Sequence, residues 1–166
     1  LSIDSNNYLA LCDLAFLKND QQDYQEAINL YTRAININSK NFLTFYNRGI
    51  AFENARQFDE ALNDYNQVIK ENSLFEPALF NKCGIFIKTN KIEEALNLIN
   101  HLLAIDKENI NYYIKKAFIY EQIQNYDLAI ECYNRALSIN PNSEDVKAMK
   151  SYCLLISILI NLLIRI

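Results

Sequence analysis

Turn formers are scarce in this chain: two glycines and two prolines in 166 residues leave few of the sharp reversals that a many-stranded sheet needs. An all-α fold is therefore expected. Histidine is nearly absent, and with His101 alone a histidine-based metal site or a second imidazole is excluded. Excess positive charge is missing too. Sixteen basic against 20 acidic residues give a net charge of −4, so no concentrated basic patch awaits a phosphate backbone, and nucleic acid is not an expected partner. Cys12, Cys83, Cys132 and Cys153 are far apart and form neither a C-x-x-C pair nor a zinc-ligand pattern. They read as buried thiols, which fits a reducing, intracellular and cytoplasmic setting. The opening LSIDSNNYLA has no basic start and no long apolar run, so no secretory signal is seen, and Leu1 suggests a fragment or a processed product. No Gly-rich phosphate loop, G-x-S-x-G elbow or H-E-x-x-H motif occurs, so no cofactor, metal or enzyme activity is expected. Heavy use of Asn, Ile, Lys and Tyr reads as the base composition of the gene, without mechanism.

What is present is a hydrophobic content of 51%, enough to fill a core, arranged with a period. The segments YQEAINLYTRAI, FDEALNDYNQVI, IEEALNLINHLL and YDLAIECYNRAL align so that their alanines fall at Ala27, Ala61, Ala95 and Ala129, each 34 residues after the last. That period resembles the tetratricopeptide repeat (TPR), a pair of antiparallel helices that cannot bury its apolar face without a neighbour. The resemblance implies a superhelical TPR solenoid of four helix-turn-helix repeats over residues 1–143, at about 8–41, 42–75, 76–109 and 110–143, followed by a C-terminal capping helix over 144–166.

The family pattern asks for a large residue at repeat position 4, small ones at 8 and 20, aromatics at 11, 17 and 24, alanine at 27 and proline at 32. The fourth repeat matches throughout, with Tyr113, Ala117, Tyr120, Tyr126, Ala129, Tyr133, Ala136 and Pro141. The second supplies Phe45, Gly49, Phe52, Phe58, Ala61 and Tyr65, then departs at Val68 and Ser73. The first has Lys18 in place of an aromatic, and the third is loosest, with Leu79, Cys83, Phe86, Ile92, Ala95, Ile99 and Leu102. Small residues at 8 and 20 let the two helices of a repeat approach closely while the aromatics fill the space around them.

Asp59/Glu60 and Glu93/Glu94 could suggest a catalytic carboxylate pair. Glu26, Glu60 and Glu94 share one repeat position in the first turn of each second helix, however, where negative charge complements the helix dipole, so they read as helix starts. His101 is expected on the outer, solvated side of a second helix.

In proteins that resemble this one, first helices line a concave groove through positions 2, 5, 6, 9, 12 and 13. Position 5 here carries Cys12, Tyr46, Phe80 and Ile114, and position 9 carries Phe16, Ile50, Gly84 and Phe118, an apolar stripe. Position 6 carries Asp13, Asn47, Asn81 and Lys115, and Lys88 adds a further positive charge. The expected partner-binding residues are Phe16, Tyr46, Asn47, Ile50, Phe80, Asn81, Lys88, Lys115 and Phe118, holding a helix or peptide segment of another protein by alternate apolar anchors. The alternative is that some of them pack between first helices and meet no ligand. The carboxylate clamp of chaperone-binding members is not reproduced, since Cys12, Phe16 and Pro77 stand where it needs polar or basic groups.

Beyond Pro141, Asn142 or Ser143 can cap a helix that opens with Glu144 and Asp145. From Tyr152 the chain reads YCLLISILINLLIRI, apolar on most sides, with Leu155, Ile158, Leu159 and Leu162 expected to form an interface. The run is shorter than the roughly 20 apolar residues that span a bilayer, so packing against protein, including self-association, is placed ahead of a membrane tail. The expected function is a non-catalytic scaffold or adaptor within a larger complex. A tail-anchored receptor, the TPR region of a larger enzyme and a chaperone co-factor are the alternatives.

Overall fold

The computed structural model describes residues 7–164, and every regular element among them is an α-helix. The elements are α1 (Tyr8–Asp20), α2 (Tyr24–Ile37), α3 (Phe42–Asn54), α4 (Phe58–Glu71), α5 (Glu76–Lys88), α6 (Ile92–Ile105), α7 (Ile110–Gln122), α8 (Tyr126–Ile139) and α9 (Glu144–Ile164). Starts at Tyr8, Phe42, Glu76 and Ile110, and at Tyr24, Phe58, Ile92 and Tyr126, recur every 34 residues, as the alanine spacing implies. The described residues gather into two compact bodies that part between Ile85 and Phe86, within α5.

Local chemistry sets the helix boundaries. The side-chain oxygens of Asn7, Asn41 and Asn109 cap α1, α3 and α7 by accepting from the N–H of Ala10, Leu43 and Asn111. Glu26, Asp59, Glu60, Glu93, Glu94 and Asp127 lie in the first turns of the second helices, the placement the dipole favours. Each first helix is closed by a residue in the left-handed region: Gln22, Arg56, Asn90 and Gln124 have φ of 64°, 60°, 57° and 57°. The next N–H, of Asp23, Gln57, Lys91 and Asn125, reaches back to the carbonyls of Lys18, Phe52, Phe86 and Tyr120 at 2.8–2.9 Å. Second helices end at Asn38, Asn72, Asp106 and Asn140, whose Oδ1 atoms accept from the N–H two residues on. The asparagines thus carry structural work at helix ends, which corrects their reading as mere base composition.

In the first body, Leu11, Ala15, Ala27, Ile28, Leu30, Tyr31, Ala34 and Ala51 form one core cluster. Ala61, Tyr65, Val68, Ala78 and Ile85 form another, with Phe42, Phe45, Phe52 and Phe58 packed on it. Gly49 explains the small residue at its position, because a Cβ there would lie 2.7 Å from the ring of Tyr65. In the second body, Ala117, Ala129, Cys132, Tyr133, Ala136, Val146 and Cys153 build the core that seats α9 on α8.

Candidate protein-binding surfaces

In the first body, Leu9, Cys12 and Phe16 on α1 and Leu43, Tyr46 and Ile50 on α3 repeat at intervals of three and four, so each set lies along one stripe of its helix. Phe16 is 66% exposed, and Leu9 and Leu43 are also exposed, while Cys12, Tyr46, Asn47, Ile50 and Phe80 are half-buried. Tyr46 is held inside the fold: its ring meets Phe75 edge-on at 5.2 Å between centroids. The Asn81 amide donates to the hydroxyls of Tyr46, at 3.3 Å, and of Tyr65, at 3.4 Å. The Tyr65 hydroxyl in turn donates to Glu53 at 2.8 Å. Burial raises the pKa of both phenols, and the Glu53 carboxylate pushes Tyr65 further the same way. Structure therefore unites Tyr46 and Asn81, but for packing, and leaves Phe16 as the most open of the expected anchors in this body.

A second arrangement escaped the sequence. Arg48 donates from Nε and Nη2 to the two carboxylate oxygens of Asp64, at 2.8 and 2.7 Å, and from Nη1 to the Thr32 hydroxyl at 3.1 Å. Its guanidinium also lies 5.6 and 5.5 Å from the rings of Phe45 and Phe52. Asp64 is 4% exposed; burial raises its pKa, and the hydrogen bonds and charge of Arg48 oppose that rise. The signal was the basic residue recurring at Arg48, Lys82 and Lys116, 34 apart. Lys82 reaches Asn66 of the preceding second helix at 2.7 Å, as Arg48 reaches Thr32.

In the second body, Lys115 is half-buried and Phe118 is 44% exposed on α7, and Lys88 is exposed at the end of α5. Glu121 accepts from the Tyr133 hydroxyl at 2.7 Å and the Cys153 thiol at 2.8 Å. Burial, reinforced by Glu121, pushes the Cys153 thiol up to about 12, and burial takes Cys132 to about 11. The thiols of Cys83, Cys132 and Cys153 are buried as expected, whereas Cys12 is half-buried.

The terminal helix runs unbroken from Glu144 to Ile164, with Val146 and Cys153 turned into the core. Leu155, Ile158, Leu159 and Leu162 are 46–55% exposed. The segment Glu144–Leu163 has 20 residues and contains an 18-residue window with a mean hydropathy of 1.6, long and apolar enough to cross a membrane by length and composition. That exceeds the length expected from the apolar run alone.

Asp59, Glu60, Glu93 and Glu94 are exposed at helix starts, and His101 is exposed on α6. No group of three or more His, Cys, Asp or Glu that could hold a metal exists among the described residues.

Family models described as tetratricopeptide repeats or TPR repeat match residues 17–55, 54–117 and 110–143. Among solved structures, a tetratricopeptide repeat protein from Parabacteroides merdae superposes with a TM-score of 0.81 at 23% identity, covering 90% of this chain and 58% of that one. The chain thus spans less than two thirds of that relative's length. MamA from Desulfovibrio magneticus gives 0.79 at 15% identity over 95% and 88% of the two chains. YrrB, described as a TPR protein with an unusual peptide-binding site, gives 0.76 at 20% identity over 89% and 76%. No curated protein matches this chain.

Proposed function

The chain belongs to the tetratricopeptide-repeat family, and from that premise we propose that it is a non-catalytic scaffold that holds a peptide or helix of another protein against its first helices. The observation that carries this reading is the open apolar stripe on α1 and α3, where Leu9, Phe16 and Leu43 stay exposed beside half-buried Tyr46 and Ile50. Solvent-exposed apolar anchors at three- and four-residue spacing suit alternate hydrophobic side chains of a bound segment. Within the second body, Phe118 on α7 would offer a separate exposed anchor of its own. Peptide binding in YrrB supports the class of ligand, and the family's general role supports the absence of catalysis. Asn47 would serve as a polar contact beside this stripe, and Lys88 and Lys115 would do so separately within the second body.

The test is selection of peptides from a random library on the whole chain, followed by titration of the selected sequence. Apolar anchors spaced along the selected peptides, with affinity weakened by Phe16→Ala, support the reading. Selected peptides that bind equally well after Phe16→Ala and Leu43→Ala overturn it.

A further inference from the structure

We propose that α9 pairs antiparallel with α9 of a second copy of this chain, making a two-fold dimer. The inference does not depend on the peptide-binding stripe.

The first ground is what α9 is built to be. Val146 and Cys153 fall 34 residues after Tyr112 and Ile119 of α7, and all four are buried, so α9 packs on α8 in the register of a first helix. First helices of this chain carry a small residue where their second helix closes on them: Ala15 in α1, Gly49 in α3 and Ala117 in α7, all buried. The corresponding residue of α9 is Ser151, and it is exposed. Where α1, α3 and α7 turn back through Gln22, Arg56 and Gln124, α9 has Ile158 and stays helical. The face that a second helix covers elsewhere is therefore left open by the helix's own continuation.

The second ground is that the open face is complementary to itself. Ser151, Leu155, Ile158 and Leu162 are spaced four, three and four apart, the seam of a helix pair. That spacing reads the same in reverse. With the two-fold between Ile156 and Ser157, Leu162 of one copy meets the small Ser151 of the other, and Leu155 meets Ile158. The Ser151 hydroxyl already donates to the Lys147 carbonyl at 2.8 Å, so covering it strands no polar group. No charged side chain lies between Ser151 and Leu163, so like charges do not meet across the axis. A two-fold pairing of one patch with itself is the commonest closed assembly.

A lipid bilayer would also cover these leucines. Inserting α9 across it, however, means pulling Val146 and Cys153 out of the core and breaking the thiol bond to Glu121.

Light scattering on the eluting full chain at tens of micromolar should give twice the 19.4 kDa chain mass. Ile158→Glu should halve that mass while helicity is retained; should that variant fail to fold, Leu162→Glu gives the same test. Because position 155 faces 158 across the antiparallel axis, mixing Ile158→Glu with Leu155→Lys should restore the doubled mass. A monomeric wild type, a dimer that survives both glutamate variants, or no rescue on mixing would each overturn the proposal. So would flotation of the wild-type chain with phosphatidylcholine vesicles.

Discussion

Both carboxylate oxygens of Asp64 are held by Arg48, at 2.7 and 2.8 Å, tying α3 to α4 inside the first body. Removing one partner leaves a buried charge alone, so Arg48→Met should destabilise the fold by about 3 kcal/mol near neutral pH. The sign of the pH dependence follows from Asp64. Its pKa is raised in the folded state, so its contribution is fully present below the ordinary aspartate range and is lost as pH rises through the raised value. Without Arg48 the rise is larger, and the deficit of the variant should be smaller at acid pH than at neutral pH. Urea denaturation at both pH values checks this; an equal deficit at the two would show that Asp64 is not buried as described.

Gly49 is the close contact of α3 with α4. A methyl group at that position meets the Tyr65 ring at 2.7 and 2.9 Å, and the ring is fixed by full burial and its bond to Glu53. Gly49→Ala should therefore lower stability by about 1–3 kcal/mol, although alanine is the better helix former. Ala61→Leu, in the fully buried partner position on α4, should act in the same direction. Thermal melts of the two variants suffice, and an unchanged midpoint in either would contradict the packing.

The four left-handed turn residues predict stabilisation. Gln22, Arg56 and Gln124 hold a conformation that glycine adopts without steric cost, and none is buried. Arg56→Gly should gain about 0.5–1 kcal/mol, and the three substitutions together should add, since the turns are separate. Asn90→Gly should gain least because asparagine tolerates this region. Denaturation midpoints that fall on substitution would be the contrary result.

Cysteine reactivity should be uneven. Cys132 and Cys153 are buried with thiols pushed up to about 11 and about 12, so at pH 8 their thiolate fractions are on the order of a thousandth or less. Alkylation of the native chain followed by mass spectrometry should find Cys12 modified first, with Cys132 and Cys153 protected until denaturant is added. Early labelling of Cys153 would contradict its bond to Glu121.

Much of the fold was legible because the repeat is written in side chains that pack. The alanines at 27, 61, 95 and 129 and the acidic first turns placed the second helices, and start signals after Pro141 placed α9. The turns were less legible, since Gln22, Arg56 and Gln124 are not residues that announce a left-handed conformation. Arg48 and Asp64 are 16 residues apart on different helices, and no local spacing joins them. Among the expected groove residues, Phe16 and Phe118 stand open, whereas Tyr46 and Asn81 bond to each other; sequence position assigns a helix face but not whether a neighbour has already occupied it.

The central claim is that a partner segment binds the open stripe of α1 and α3, and affinity change at Phe16 tests it most directly. Titration of a library-selected peptide against the wild type, a Phe16→Ala/Leu43→Ala variant and an Asn29→Ala control on the exposed side of α2 should show binding weakened about tenfold or more in the first variant alone, with all melting midpoints alike. Equal affinity for the wild type and the folded double variant would contradict the account.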